Sequence, residues 1–511
     1  MRLLLHIFRK DARRLAWEAG VAAVMLLFLM RQDWWRADFV PGAMEGWLNL
    51  LVPLAWAYLV VLVVHEEPLV GDDQFWITRP YSPPALLGAK ALFVLVFIHL
   101  ASFLADGTIL AVRGFQPLAY LPQLLWKQVM LAMALTLPAA ALAAVVRNLA
   151  HFMLGAIVIA AAAVYLEGRI GSPVAPFLPF DAVRRGLPLL VVAALALAIV
   201  WLQYARRRTV VARLAGIAAL LIAAALYAWV PRSFTAAVEC ALSPAPLPAS
   251  SLSLRVEPER THQVFYSSPG RTVSVVIPIA FSGVPEGVYY RRLEQIALDV
   301  IAAGGERIAA GPAQRPSGPE RPPLIAYFSR EPSGDDLLLD LERSIFERLR
   351  GGKVTLAGKA GATFYRSGVA VSFDVGTRRD VPGVGMCSTV MVEDRWRSDM
   401  LKVVCECPAA IAPLTPVDLV SPDGRAWRRG LGDSGRTMAY PARAWLSPLN
   451  RLQTFFTITD RPAESPSSQW LVPRADLAGA KLTVTPQVSQ GSAVIEYRFP
   501  DLSLDGFVVR P

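Results

Sequence analysis

Seven long apolar runs, all before Pro231, constrain this chain more than any other feature. Crossing roughly 30 Å of hydrocarbon takes about 20 mostly apolar residues, with every backbone hydrogen bond closed inside the helix. Runs at about 15–31, 46–64, 91–112, 127–146, 149–167, 187–204 and 210–230 approach that standard and predict an α-helical polytopic membrane domain over 1–231. The fourth and fifth are the least distinct, because only Arg147 and Asn148 separate them and Pro138 interrupts the fourth. A re-entrant pair is the alternative there to two full spans. Across all 511 residues 54% are hydrophobic, and the excess lies almost wholly in this first half.

Charge then sets the orientation. Lys and Arg number 19 against 12 acidic residues in 1–231, and 32 against 29 in 232–511, which divides the net +10 into +7 and +3. Most of the surplus flanks apolar runs, where retention on the cytoplasmic side explains it better than nucleic-acid binding does. With the N-terminus inside, the inner segments hold twelve basic residues, among them Arg9, Lys10, Arg13, Arg14, Lys90 and Arg206 to Arg208, and the outer ones seven. Residues 1–14 are too short and too basic for a cleaved signal peptide. Their Leu3, Leu4, Ile7 and Phe8 recur at helical spacing, which fits an amphipathic helix at the inner surface or, equally, a simple charged anchor before the first span. Seven spans from an inside start place residue 232 outside.

The four cysteines, Cys240, Cys387, Cys405 and Cys407, all follow that point, which agrees with an oxidising compartment. A disulfide is expected between Cys387 and either Cys405 or Cys407, whereas Cys405 and Cys407 are too close on one strand face to bond each other. A linker over 232–251 leads into a mainly-β region at 252–511, with room for two β-sandwich modules. Period-two alternation marks strands at 272–281, 353–365, 369–375 and 493–499, and Pro422-Asp423-Gly424 marks a hairpin turn. Leu338, Leu341, Ile345 and Leu349 share one helical face, which predicts a helix over 335–350 ended by Gly351-Gly352.

Patterns of catalysis are lacking. The segment from Gly352 to Lys359 resembles a phosphate-binding loop but has the wrong spacing, and Ala360 stands where Ser or Thr would bind magnesium. Gly432-Asp433-Ser434-Gly435 resembles a serine-protease segment, yet His262 is the only histidine in the second half to serve as base. No enzymatic activity, cofactor or metal is expected of this chain. Inside the membrane, His99 and Asp106 lie seven residues apart on one face; interhelical hydrogen bonding is the favoured reading, ahead of a polar transport path.

The informative segment joins the second and third runs. It reads His65-Glu66-Glu67-Pro68-Leu69-Val70-Gly71-Asp72-Asp73-Gln74-Phe75-Trp76-Ile77-Thr78-Arg79-Pro80-Tyr81-Ser82 and continues to Lys90. An acidic stretch, an aromatic pair, a Pro-punctuated turn and a helix start can together present a compact docking surface. This layout resembles the membrane subunits of type-2 ATP-binding-cassette exporters, the ABC-2 permeases. The matching positions are Glu66 or Glu67, Gly71, the segment from Ile77 to Ser82, and Lys90; the opening from Phe8 to Arg14 is similar as well.

The resemblance covers about 230 residues and implies a subunit of an exporter, energised by a separate cytoplasmic ATP-binding subunit and paired with an identical or related permease. It implies that Glu66, Glu67, Gly71, Asp72, Phe75, Trp76, Thr78, Arg79 and Pro80 form the ATPase-coupling loop. Location in the inner (plasma) membrane follows, with the C-terminal region extracytoplasmic. The seventh run and the large C-terminal region depart from the family's usual six spans. The competing expectation is a membrane-anchored binding, sensor or assembly protein without transport activity.

Overall fold

The computed structural model describes residues 2–34, 42–67, 82–170, 182–242, 251–259, 272–310, 324–331, 334–392, 399–408, 415–430, 448–459 and 471–508. A helical N-terminal region precedes a mostly-β C-terminal region. Among the described residues four helices are long and apolar enough to cross a membrane: Pro83–Val112, Pro117–Val145, Gly186–Arg206 and Thr209–Tyr227.

Seven spans are therefore not supported. The runs at 15–31, 46–64 and 149–167 do form helices, Ala16–Trp34, Gly42–His65 and Leu149–Ile170. In the first, Glu18 and Arg31 leave too short an uncharged stretch between them for a crossing. The other two, where described, are the shorter apolar helices Leu50–His65 and Leu149–Ala162. Three of the long helices are not α-helical throughout: π-helical turns occupy Leu95–Leu100, Ala132–Thr136 and Leu202–Arg206. The second lies just before Pro138, whose missing N–H removes a helical hydrogen bond and leaves the preceding turn to widen.

Two compact units make up the chain. One holds 1–164, 186–227 and 371–484; the other holds 165–185, 228–370 and 485–511. In the second unit, the strands are β1 (Ser253–Val256), β2 (Thr272–Ser282), β3 (Val288–Ala302), β4 (Arg307–Ala309), β5 (Leu324–Glu331), β6 (Gly334–Glu342) and β7 (Val354–Ser367). A last strand completes this unit far along the chain, at Gln487–Leu502. It pairs antiparallel with β7, giving one sheet from these two with β3 and β4 and another in the order β1-β2-β6-β5. Both sheets feed one core, with Val275, Ile277, Leu339 and Leu341 from one and Leu298, Leu356, Phe364 and Ile495 from the other.

Between β7 and its late partner the chain builds a second pair of sheets, belonging to the first unit. These strands are β8 (Val371–Asp374), β9 (Arg378–Val381), β10 (Gly385–Val392), β11 (Met400–Cys407), β12 (Pro416–Val420), β13 (Ala426–Gly430), β14 (Asn450–Thr459), β15 (Leu471–Pro473) and β16 (Lys481–Val484), so the late strand is β17. Sheets ordered β15-β14-β11-β10-β9 and β13-β12-β16-β8 enclose a core that includes Val403, Phe456, Val417 and Leu482. Both modules thus have the two-layer arrangement of a sandwich. The exit and return lie side by side, since Gly368 N–H donates to Pro486 C=O at 2.8 Å.

The helix expected over 335–350 forms only as Arg343–Leu349; its first half is β6. As a central strand between β2 and β5, β6 buries Leu337, Leu338, Leu339 and Leu341 toward both faces. A continuous apolar run of this kind fits a helix or a two-sided strand equally well by pattern. The phosphate-loop look-alike at 352–359 falls largely within β7. The hairpin at Pro422-Asp423-Gly424 joins β12 to β13, with Gly424 at φ +85°. Gly432 to Gly435 and His262 lie outside the described residues.

Cys387 and Cys405 form a disulfide as directly opposed partners on β10 and β11, with Cα atoms 4.0 Å apart. Cys240 and Cys407 stand outside it. Alkylation of the denatured, unreduced protein should therefore modify two thiols per chain, Cys240 and Cys407. Mass spectrometry finding all four modified would overturn the pairing.

Candidate functional site

The N-terminal helix Arg2–Arg14 buries Ile7 and, one turn on, Asp11, both completely. Its apolar side packs against other helices. Ile7 shares a core with Leu86, Ala89 and Tyr204, Leu3 and Leu4 pack against the same cluster, and the Phe8 ring stacks 6.3 Å from Phe97. The basic Arg13 and Arg14 remain outward.

Asp11 is buried because it meets a cation. Lys90, near the start of the span Pro83–Val112, donates from Nζ to Asp11 Oδ2 at 2.8 Å and to Glu67 Oε2. Lys10 donates to the other Glu67 oxygen and lies 3.2 Å from Asp11 Oδ1. Arg14 Nη1 stands 2.9 Å from Glu66 Oε2. Three cations thus meet three anions, with Asp11, Glu67 and Lys90 almost wholly excluded from water. Ion pairs at such depth survive only when both partners are also well hydrogen-bonded, and removal of one partner strands the other.

Charge states follow from this geometry. Burial pushes the Glu67 carboxyl up, but Lys90 and Lys10 outweigh it and hold the group below its ordinary value of 4.5. Burial likewise pulls the Lys10 ammonium down, and the hydrogen bond and charge of Glu67, with the charge of Asp11, raise it above 10.5. Glu66 is raised, since burial is only partly offset by Arg14 and Lys90.

Of the loop residues expected to couple an ATPase, Glu66 and Glu67 enter this cluster. Gly71, Asp72, Phe75, Trp76, Thr78, Arg79 and Pro80 lie outside the described residues. Asp11 and Lys10 carry roles that the sequence reading did not give them. Asp11 sits where the buried stripe of Leu4, Ile7 and Phe8 continues, which is the one available signal: a charge on an apolar face.

Deeper in the first unit, His99 and Asp106 both face the neighbouring span Pro117–Val145 but engage different residues. The His99 ring lies 3.2 Å from Gln128 Oε1 through Nδ1 and 3.2 Å from Thr136 Oγ1 through Nε2. A neutral imidazole satisfies both by donating to the amide oxygen and accepting from the hydroxyl. Lys127 Nζ reaches Asp106 Oδ1 at 2.7 Å. Interhelical bonding is what these contacts perform.

Where Pro83–Val112 ends, the inserted sandwich begins its contact with the helices. Arg113 Nη1 lies 3.4 Å from Glu406 Oε2 on β11, and Arg378 on β9 donates to the Arg113 carbonyl at 3.1 Å. Leu449 and Met386 join the core of the spans alongside Phe115 and Tyr120. Among the described residues no group of three metal-ligating side chains comes together. Comparison with protein-family models, with curated proteins and with solved structures finds no match to this chain.

Replacing Lys90 by Met should cost about 3–5 kcal/mol, because Asp11 and Glu67 then keep only Lys10. A lower unfolding midpoint in detergent and faster tryptic cleavage after Arg9 to Arg14 would report it; an unchanged midpoint would show that the cluster does not hold the helix. In the native protein three shifted groups set the pH dependence, and Glu66, raised, opposes Glu67, because its contribution to stability falls as pH rises from 4.5 through its folded value. Glu67, depressed, contributes above its ordinary value and loses that contribution as pH falls through its folded value. Lys10, raised, contributes below 10.5 and loses it as pH rises through its folded value. The midpoint should accordingly hold level up to about pH 10 and drop as pH rises further, through the folded Lys10 value.

Proposed function

We propose that this chain is the transmembrane subunit of an exporter driven by a separate cytoplasmic ATPase, of the ABC-2 permease type that its 66–90 segment resembles. The observation that carries the reading is the clamp at both ends of that segment. Glu66 and Glu67 close one end and Lys90 the other, and all three are tied to the same N-terminal helix through Asp11, Lys10 and Arg14. A soluble motor moves membrane helices only through a contact stiff enough to carry its displacement. Buried ion pairs that hold both stems of a loop to a third element supply that stiffness.

Orientation in this reading rests on one span and not on a count of spans. Lys90, seven residues into Pro83–Val112, and Arg113, just past its end, are 23 residues or roughly 35 Å of helix apart, about the thickness of the hydrocarbon. The basic N-terminal helix gathers at the Lys90 end, and the disulfide-bonded sandwich docks at the Arg113 end. Positive charge retained inside and a disulfide formed outside both favour a cytoplasmic N-terminus and an extracytoplasmic C-terminal region. Two such subunits, identical or related, would enclose the pathway. Apolar residues left facing outward, such as Val210, Leu214, Ile217 and Leu221 along one side of Thr209–Tyr227, offer surface for lipid or for that second copy.

The competing reading, a membrane-anchored binding or sensor protein, draws on the same Arg113–Glu406 contact, which ties an outer module firmly to a span. Substituting Phe75→Ala with Trp76→Ala separates the two. Under the exporter reading these variants insert normally and keep the Cys387–Cys405 bond, but recover less of a co-expressed ATPase on purification and lose transport. Full recovery of the ATPase with transport intact would remove the loop as coupling site; failure of the unsubstituted chain to retain any ATPase would favour the anchored module.

A further inference from the structure

The helix Arg232–Leu242 carries two opposed surfaces. One is packed: Thr235 and Ala236 are almost fully buried, Glu239 and Cys240 half-buried, and the helix rests on β3 and β17 of the first sandwich. The other is bare and apolar. Phe234 and Leu242 are 52% and 75% exposed, Ala237 and Ala241 lie exposed between them, and Ser233 is the one polar side chain described on that side. Helices on soluble domains usually turn charge toward water, so an apolar outer stripe opposite a packed one requires a partner.

Chain connectivity identifies that partner. The preceding helix ends at Trp229, itself 82% exposed, and only Val230 and Pro231 intervene. Three residue steps span no more than about 11 Å, so the helix starts within the headgroup layer at the end of a membrane-crossing segment. Pro231 has no N–H to continue the crossing helix, and its carbonyl accepts from the N–H groups of Phe234 and Thr235 at 3.0 and 3.2 Å, which starts the new one. An exposed tryptophan at the junction is the residue type that settles at the membrane–water boundary.

We propose that Arg232–Leu242 lies on the bilayer with Phe234, Ala237, Ala241 and Leu242 in the acyl–headgroup boundary, so that the first sandwich rides on a lipid-embedded helix. The partner is phospholipid at the outer surface, and the inference holds whether or not the chain exports anything. A photoreactive benzoylphenylalanine placed at Phe234, at Leu242 or, as a control, at exposed Ser253 tests it in the full chain reconstituted in phosphatidylcholine nanodiscs. After illumination, mass spectrometry should find a protein–phospholipid adduct at 234 and at 242, at least tenfold above the level at 253. A covalent dimer in its place, or lipid adducts no more frequent than at 253, overturns the proposal.

Discussion

The Lys90 ammonium is the point on which one end of the helical unit depends. It joins the start of one span, the acidic residues that close the helix Gly42–His65, and the N-terminal helix, three elements that share no continuous chain geometry. Apolar packing alone would hold them loosely, because Ile7, Leu86 and Ala89 set a distance but no register. The ion cluster adds the register. Its net neutrality is what makes it tolerable: each buried charge faces an opposite one within hydrogen-bonding reach, and the least buried member, Arg14, remains in contact with water.

Much of this was visible in the sequence. Glu66, Glu67 and Lys90 stood out by their resemblance to a permease loop, and their convergence needs only that the loop fold back on itself. Asp11 did not stand out, because a lone acid among Lys and Arg reads as part of a solvated basic stretch until its helical phase with Ile7 is noticed. His99 and Asp106 were recognisable as polar groups in an apolar run, but their partners Gln128, Thr136 and Lys127 depend on which span is the neighbour and on π-helical turns that reset the facing of side chains. Arg113 and Glu406 are almost 300 residues apart in sequence, and no local pattern announces their pairing.

The β region shows the same division. Alternation located β2, β7, β8 and the latter part of β17, since a half-buried strand imprints its period on the chain. β6 escaped because a central strand covered on both faces loses that period and leaves a leucine run open to helical reading. Seven spans are not supported among the described residues, and for the first run the reason is related: hydropathy reports composition, whereas a crossing needs an uninterrupted length, which Glu18 and Arg31 shorten. Nothing local could have shown that the second sandwich is inserted in the first, because β17 recognises β7 only through long-range pairing.

That insertion governs the order in which the chain can finish its structure. β7 is synthesised before any of β8 to β16, yet the backbone groups along one of its edges have no strand to bond until β17 is made. Meanwhile the insert already has all it needs for its own core and for its disulfide. Assembly of the C-terminal region is therefore nested: the inner sandwich can close while the outer one still waits with an open edge. The bond from Gly368 to Pro486 is the seam at which the late strand draws the enclosing sheet shut.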